Sequence, residues 1–233
     1  MTTQAVHEKM IHSMRDTSWR RKTTATVVYW FRRNGRHYPW RTSTDPFHVL
    51  LAEILLRRTQ ADRVVPTYLE LTHRFPSPMA MARANPQSLR RLLQPLGLVR
   101  RADCIIETSR LLVRQHAGRV PRNLEALLQL PGVGAYSARA VLCTAFNDPV
   151  PMVDESSGRL MRRLMDLPGR GAAYADHRLR RAAEEFLPKH RSKEFNLGIL
   201  DIAAAFCRPT KPLCKACPVA HLCEHSSRLS MAT

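Results

Sequence analysis

Hydrophobic residues recur along most of the chain at intervals of three and four positions, the spacing that places them on one face of an α-helix. The segment that follows Asp45-Pro46 shows the pattern well, with apolar side chains at Val49, Leu50, Ile54, Leu55, Val64 and Val65. Its first two residues are typical of a helix start, because aspartate caps the first turn and proline fits the first helical position. No stretch alternates apolar and polar residues over enough length to predict a strand. The sequence therefore predicts an all-α protein.

A glycine-containing turn joins two of the predicted helices in the stretch LPGVGAYSARAVL, residues 130–142. Gly132 and Gly134 allow a tight turn and a close approach of the backbone to an outside group. The free N–H groups at the start of the second helix carry a partial positive charge that favours a phosphate. Taken alone, the turn is either a phosphate-binding loop or only a corner between two helices.

The charge of the chain favours the phosphate-binding interpretation. The 233 residues include 37 Lys and Arg against 19 Asp and Glu, a formal net charge of +18. Such an excess predicts a polyanionic partner, and nucleic acid is the first candidate. A membrane is a weaker candidate, because no apolar run approaches the roughly 20 residues that span a bilayer. The N-terminal segment has no apolar signal core, so we expect an intracellular protein.

Four cysteines lie close together near the C-terminus with the spacing C-x6-C-x2-C-x5-C: Cys207, Cys214, Cys217 and Cys223. In a reducing compartment clustered cysteines are more often metal ligands than disulfides, and thiolates bind zinc or iron–sulfur clusters. Zinc sites usually show two short pairs separated by a longer spacer, whereas here one short pair lies between two longer arms. The spacing favours a [4Fe–4S] cluster, with zinc as the alternative.

Two acidic residues are candidates for chemistry. Asp154 follows an apolar segment and starts a predicted helix, so it is either an N-cap or a catalytic carboxylate that faces a cleft. Glu53 lies within an apolar run, and a buried glutamate needs either a functional pocket or an ion-pair partner such as Arg57, four residues later. Arg57 and Arg58 either contact DNA or form a solvated basic face.

These features in combination resemble the helix–hairpin–helix DNA glycosylases of the endonuclease III type. The hairpin LPGVG, the acid at Asp154 and the cysteine spacing carry the resemblance, which extends from about HYPWR to the last cysteine. It implies two all-α lobes: a six-helix barrel with the hairpin from residues 44–148, and a second lobe from residues 1–43 and 149–233 that ends in a [4Fe–4S] cluster loop. It also implies a monomer that binds double-stranded DNA and flips out a mismatched or damaged base.

The resemblance assigns roles to individual residues. Asp154 would stabilise the oxocarbenium-like sugar and orient a water, and Glu53 would contact the edge of the base. Tyr136 stands where the bifunctional lyases have the lysine that attacks the sugar, and a phenol forms no Schiff base. The resemblance therefore implies base removal without strand cleavage. The expected DNA contacts come from the hairpin, from two arginines and from a leucine: Gly132, Val133, Gly134, Arg57, Arg58 and Leu197. Arg58, or its neighbour Arg57, would fill the gap in the base stack together with Leu197 and hold the guanine.

Within the family, the motifs EILLRRT, LPGVGAY and FNLGILD are most similar to those of the mismatch-specific thymine glycosylases, which remove thymine or uracil opposite guanine. The adenine glycosylases usually have a small residue in place of Tyr136 and a glutamine pair in place of Arg57-Arg58. An adenine glycosylase acting opposite guanine or oxidised guanine is one alternative, and a non-catalytic iron–sulfur DNA-binding module is the other. The family commonly has an asparagine two positions after the acid, where this chain has Ser156, which is also able to cap a helix.

Overall fold

The fold is described by a computed structural model for residues 17–169 and 171–231. Within these ranges the chain forms α-helices and short 3-10 turns and has no strand, which confirms the predicted all-α class. The chain divides into two compact units, one of residues 37–148 and the other of the N-terminal helix together with the residues from 149 onward. Among the described helices, none has the length and apolar character needed to cross a membrane.

The unit of residues 37–148 contains eight helices within its described range: α2 (Pro39–Thr42), α3 (Pro46–Leu56), α4 (Ala61–Arg74), α5 (Pro78–Ala82), α6 (Pro86–Leu93), α7 (Arg101–His116), α8 (Leu124–Leu128) and α9 (Ala135–Phe146). Side chains that accept hydrogen bonds from first-turn N–H groups cap four of them: Asp45, Ser77, Asn85 and Asn123. Asp45 thus starts α3 as its sequence predicts. Helix α3 is buried along nearly its whole length and packs against α4 and α9, so it forms the centre of this unit.

The boundary of this unit lies at residue 37 rather than at the predicted residue 44. Tyr38 stacks on Trp40 with ring centroids 4.8 Å apart, and Trp40 meets the ring of Tyr68 on α4 edge-on at 5.3 Å. The Tyr38 hydroxyl also donates to Asp62 Oδ1 at 2.9 Å. These aromatic contacts bury Tyr38 and Trp40 in the core of the unit. Residues 37–43 therefore fold with α3 and α4, because their large apolar side chains find their partners there.

The other unit contains α1 (Thr17–Asn34), α10 (Glu155–Met165), α11 (His177–Phe186), α12 (Ser192–Ala205) and α13 (Glu224–Met231). Helix α12 packs against α1 and α10. The buried Asp201 of α12 accepts hydrogen bonds from the backbone N–H of Arg36 at 2.8 Å and from its Nε at 2.7 Å, which ties the end of α1 to α12. Apolar side chains from these helices form one core, which includes Val27, Leu160, Phe195 and Ile202.

Gly198 is the point of closest approach between α12 and α1, because a Cβ there would lie 2.7 Å from Val27 Cγ1 and 3.1 Å from the Val27 carbonyl oxygen. Gly198→Val is expected to lower the free energy of unfolding by about 1–3 kcal/mol through overpacking. Urea denaturation followed by circular dichroism measures the change. The matched control is Gly171→Ala, whose Cβ would meet no atom within 4 Å. The control is expected to change stability by less than about 0.5 kcal/mol, and equal effects of the two variants would contradict the close approach.

Candidate active site

The predicted hairpin is present between α8 and α9. Leu130 N–H donates to the Leu127 carbonyl at 3.1 Å and Val133 N–H donates to the Leu130 carbonyl at 3.1 Å, which closes the turn. Gly132 has a φ of +78°, in the left-handed region that favours glycine. Gly134 is the N-cap of α9 and supplies no side-chain cap. The first N–H groups of α9 therefore have no acceptor from the capping residue.

Two carbonyl groups of the hairpin accept hydrogen bonds from side chains of the same unit. Thr108 Oγ1 of α7 donates to the Pro131 carbonyl at 2.8 Å, and Arg57 Nη1 donates to the Gly132 carbonyl at 2.9 Å. A Cβ at Gly132 would lie 2.5 Å from the sulfur of Cys104, so this side of the turn is closely packed. On the other side Gly134 and Ala135 are exposed. The exposed side of the hairpin therefore presents backbone donors at the positive end of α9, an arrangement suited to a phosphate.

Val133 was predicted to contact DNA, but its side chain faces the interior of the unit. Its side chain is buried, and its N–H already donates to the Leu130 carbonyl. The predicted contact of Val133 with DNA stays a prediction. Ala135, which the sequence analysis did not single out, is exposed at the start of α9.

Three arginines gather at the C-terminal end of α3, beside the hairpin. Arg57 and Arg58 are exposed, and Arg58 has a φ of +57°, a left-handed conformation that is uncommon for a residue with a side chain. Arg101 of α7 donates through Nη1 to the carbonyls of Ile54 at 2.5 Å and Leu55 at 3.1 Å, and through Nη2 to the carbonyl of Arg57. Burial and the neighbouring guanidinium groups of Arg57 and Arg58 lower the pKa of Arg101.

Glu53 and Tyr136 lie in the same unit as the hairpin. Glu53 is on α3, one turn before Arg57, and only 9% of it is exposed, as its apolar neighbours predict. Tyr136 is in the first turn of α9, two residues after Gly134, and is partly buried. Arg57, the alternative partner proposed for Glu53, instead directs a hydrogen bond to the hairpin carbonyl of Gly132.

Asp154 is the N-cap of α10, and only one of its two carboxylate oxygens accepts the capping hydrogen bonds. Oδ1 accepts hydrogen bonds from the N–H and from the hydroxyl of Ser157, both at 2.7 Å, and the Asp154 N–H donates to the Ser157 hydroxyl at 2.8 Å. Ser157, rather than Ser156, is thus the capping partner. Oδ2 makes no hydrogen bond to any described residue. The capping box fixes the orientation of the carboxylate and leaves one oxygen available for chemistry.

The segment that leads to Asp154 is held by a buried asparagine of α12. Asn196 Oδ1 accepts from the Met152 N–H at 3.0 Å, and Asn196 Nδ2 donates to the Val150 carbonyl at 2.9 Å. The sequence analysis did not identify Asn196, although a polar residue within the apolar run FNLGILD was the available signal. Leu197, the next residue, is only 5% exposed. The predicted entry of Leu197 into a DNA base stack stays a prediction.

The four cysteines of the C-terminal loop line one small apolar cavity, together with Leu160, Phe206 and Pro212. Burial and, to a smaller extent, the neighbouring cysteines together raise the pKa of the Cys217 thiol to about 11. Within the described residues, no three His, Cys, Asp or Glu side chains are placed to hold a single metal ion. The four cysteines thus face a common space.

Arg163 of α10 contacts the cysteine loop, and the sequence analysis did not identify it. Its Nη1 lies 3.4 Å from Cys207 Sγ and donates to the Arg208 carbonyl at 2.7 Å, and its Nη2 donates to the Pro209 carbonyl at 3.0 Å. Arg159 Nε adds a hydrogen bond to the Cys207 carbonyl at 2.7 Å. These two arginines hold the start of the loop against α10 and place a positive charge beside the Cys207 sulfur.

Comparison with known proteins identifies the family of the chain. Residues 51–189 match the HhH-GPD superfamily of base excision DNA repair proteins. The chain belongs to this superfamily. It is 37% identical over 202 residues to the thymine-DNA glycosylase of Aeropyrum pernix, a match that covers 84% of this chain and 91% of that protein. From this family and this similarity we conclude that the chain is a DNA glycosylase of base excision repair.

Two further relatives of this glycosylase bear on its substrate and its fold. The adenine DNA glycosylase of Mycobacterium tuberculosis is 34% identical to it over 207 residues, which cover 87% of this chain and 67% of that protein. The solved structure of a thermostable thymine-DNA glycosylase has a TM-score of 0.83 and 31% identity, and covers 91% of this chain and 98% of that one.

The two hairpin glycines of the glycosylase are expected to respond differently to alanine. Gly132→Ala should lower the free energy of unfolding by about 1–3 kcal/mol, because its φ is positive and a Cβ would meet the Cys104 sulfur. Gly134→Ala should leave stability within about 0.5 kcal/mol, because its Cβ meets no protein atom within 4 Å. It should nevertheless weaken duplex binding, because the added methyl group stands on the exposed side.

Urea denaturation and fluorescence anisotropy with a labelled duplex measure the two effects. Gly118→Ala serves as a control for the binding measurement, since its Cβ also meets no atom within 4 Å and it lies outside the hairpin. Its positive φ costs stability, so only its duplex affinity is compared. Unchanged duplex affinity of Gly134→Ala would argue against the exposed side of the hairpin as the phosphate contact.

Proposed function

We propose that the protein is a monofunctional mismatch glycosylase, which hydrolyses the N-glycosidic bond of thymine or uracil paired with guanine and leaves an abasic site. The observation that carries the proposal is the Asp154 carboxylate, with one oxygen fixed by the capping box and the other without a hydrogen bond among the described residues. The similarity to the thymine-DNA glycosylase of Aeropyrum pernix supports the choice of base.

The hairpin and the arginines beside it are proposed to hold the DNA backbone. Backbone N–H groups at the start of α9 would bind a phosphate next to the flipped nucleotide, and the exposed Arg57 would add charge at the same place. The exposed Arg58 is proposed to enter the space that the flipped base leaves. Phosphate contacts release counterions, so duplex affinity should fall steeply with salt. Flipping is required because a stacked base hides its glycosidic bond, and a mispaired base costs less to extrude than a paired one.

In the proposed reaction Asp154 acts on the sugar. As the N-glycosidic bond breaks, its electron pair leaves with the base and positive charge develops on the sugar, which a fixed carboxylate stabilises. Oδ2 is also able to orient a water, whose oxygen bonds to C1′ while one of its protons passes to Oδ2. The departing base anion takes up one proton, so the products are the free base and the abasic sugar. Glu53 is proposed to contact the edge of the flipped base, and Tyr136 to line its pocket.

The composition of the hairpin unit supports base removal without strand cleavage. A lyase step needs an amine that forms a Schiff base with the sugar. Residues 37–148 contain no lysine, and Tyr136 occupies the position at which the lyases of the family have theirs. We therefore propose that the abasic site is left intact for other enzymes.

We further propose that Cys207, Cys214, Cys217 and Cys223 hold a [4Fe–4S] cluster. Their common cavity supports this, as does their spacing, in which one short pair lies between two longer arms. Hydrolysis needs no redox chemistry, so the cluster would serve to stabilise the loop. That loop carries basic residues able to face DNA, namely Arg208, Lys211 and Lys215.

A second candidate function is removal of adenine opposite guanine or oxidised guanine, which the similarity to the Mycobacterium tuberculosis enzyme favours. The arginine pair at residues 57–58 and the tyrosine at 136 favour the thymine and uracil substrate. A non-catalytic DNA-binding module would retain the charged surface but would not use the free oxygen of Asp154.

The wild-type protein and Asp154→Asn should separate these functions on duplexes containing G:T, G:U, G:A or oxidised G:A pairs. Wild type is expected to produce alkali-labile breaks at thymine and uracil only, and no break without alkali. Asp154→Asn should slow single-turnover release by at least about 100-fold, because the amide does not stabilise the developing charge. Its duplex affinity should stay close to that of wild type, since the amide oxygen still accepts the capping hydrogen bonds.

Each other outcome contradicts a separate part of the proposal. Breaks at adenine alone would favour the second candidate, and breaks without alkali would contradict a monofunctional enzyme. Full activity of Asp154→Asn would remove the assigned role of this carboxylate. No break in any duplex, together with tight binding, would indicate the non-catalytic module.

The purified protein is expected to be brown and to contain about four iron atoms per chain. Cys217→Ser should lose iron and lower the thermal midpoint, because the loop then lacks a ligand. Cys104→Ser is the matched control, since Cys104 lies on α7 in the other unit, and it should retain iron. Elemental analysis and visible absorption measure the result, and a colourless protein with one bound zinc would overturn the cluster assignment.

A further inference from the structure

One face of α7 contacts both of the loops proposed to bind DNA. Arg101, Cys104 and Thr108 follow one another at intervals of three and four residues, so they lie on the same face of the helix. Thr108 bonds to the Pro131 carbonyl, and Cys104 fills the space beneath Gly132. Arg101 reaches the other loop, at the end of α3. The helix thereby connects the hairpin with the loop that carries Arg58.

Arg101 holds the C-terminal end of α3 through three backbone carbonyls. The last carbonyls of a helix have no acceptor role within the helix, and the planar guanidinium bonds here to those of Ile54, Leu55 and Arg57. The Arg57 carbonyl belongs to the peptide bond that leads directly into Arg58. Arg101 therefore fixes the backbone from which the Arg58 side chain extends, at a residue with a positive φ.

A third contact closes the network. Arg57 donates from its side chain to the Gly132 carbonyl at 2.9 Å, while its own carbonyl is held by Arg101. The hairpin, the end of α3 and the start of α7 are thus joined pairwise by hydrogen bonds and packing. The position of Arg58 relative to the hairpin is set by this closed network.

The electrostatics of the network are unfavourable without an anion. Arg101 is the first residue of α7, where the helix dipole disfavours a cation, and two more guanidinium groups lie beside it. None of Arg57, Arg58 and Arg101 forms an ion pair with a carboxylate among the described residues. Helix-end carbonyls offset part of this cost, but the arrangement favours an anionic partner at the exposed side, such as a DNA phosphate.

We propose that Arg101 is a positioning residue of the glycosylase. It sets Arg58 at a fixed place relative to the hairpin, so that Arg58 enters the space left by the flipped base when the hairpin holds the neighbouring phosphate. Arg101 itself acts through the backbone of residues 57–58 and not by touching the base. This inference rests on the proposed function, because it assigns Arg58 to the space that base flipping opens.

A double-mutant cycle of Arg101→Met and Arg58→Ala tests the inference on a G:T duplex. Two quantities are measured: the single-turnover rate of base release, and the permanganate reactivity of the mispaired thymine in an Asp154→Asn background, which reports its unstacking. Arg101→Met should reduce both by roughly tenfold to a hundredfold, since displacement of a positioned group by about 1 Å has effects of this size. In the Arg58→Ala background the same substitution should have no further effect.

Arg63→Met is the matched control, because Arg63 lies in the same unit and also donates to a backbone carbonyl, that of Pro95 at 3.3 Å. It removes one positive charge and one such bond away from the Arg58 loop, so it should leave both quantities within about twofold of wild type. Additive effects of Arg101→Met and Arg58→Ala would overturn the inference. An Arg63→Met effect equal to that of Arg101→Met would also overturn it.

Arg101→Lys keeps the cycle interpretable if Arg101→Met fails to fold. Lysine keeps the charge but lacks the planar fork that reaches three carbonyls, so Arg101→Lys should keep the duplex affinity of wild type and still reduce the release rate and thymine unstacking. Full restoration of both by lysine would show that charge alone matters and would reject a positioning role. If wild type releases no base from any duplex, the proposed function fails, whereas the permanganate cycle still decides whether Arg101 acts through Arg58.

Discussion

The anchoring of two hairpin carbonyls by side chains of the same unit is the interaction on which the candidate DNA-binding surface depends. Thr108 and Arg57 donate to the carbonyls of Pro131 and Gly132, which fixes the orientation of these two peptide groups. The N–H groups at the start of α9 are then left on the exposed side. A tight turn without these two donors would have no preferred side toward a phosphate. The close packing of Cys104 against Gly132 restricts the turn further.

Asp154 also lies at a helix end, where its side chain forms capping hydrogen bonds through one oxygen and leaves the other oxygen without one. The capping box uses Oδ1, and Asn196 fixes the backbone that precedes the carboxylate. Capping and catalysis are often treated as alternatives for an aspartate at a helix start. Here the cap holds the side chain in one orientation, which is what a carboxylate needs in order to act on a developing charge without reorganising.

Arginine has two different uses in this protein. Exposed arginines supply the positive charge that suits a polyanion. In contrast, Arg101 and Arg163 donate hydrogen bonds to backbone carbonyls and hold loops in place. The guanidinium suits this second use, because its donors are planar and it bonds to several carbonyls at once. A net charge of +18 therefore overstates the number of arginines that are free to meet DNA.

The sequence by itself determined the all-α class, the helix starts at Asp45 and Asp154, the hairpin, the burial of Glu53 and the family, because periodicity, caps and short motifs involve residues close together in the chain. Only the tertiary structure placed residues 37–43 with α3, turned Val133 and Leu197 inward, and identified Ser157 as the capping partner. It alone revealed the contacts from Arg101 to Arg57, from Asn196 to Met152 and from Arg163 to Cys207. Each of these joins residues 44 positions apart, and no local pattern reports which side chain folding will bring to a distant carbonyl, amide or sulfur.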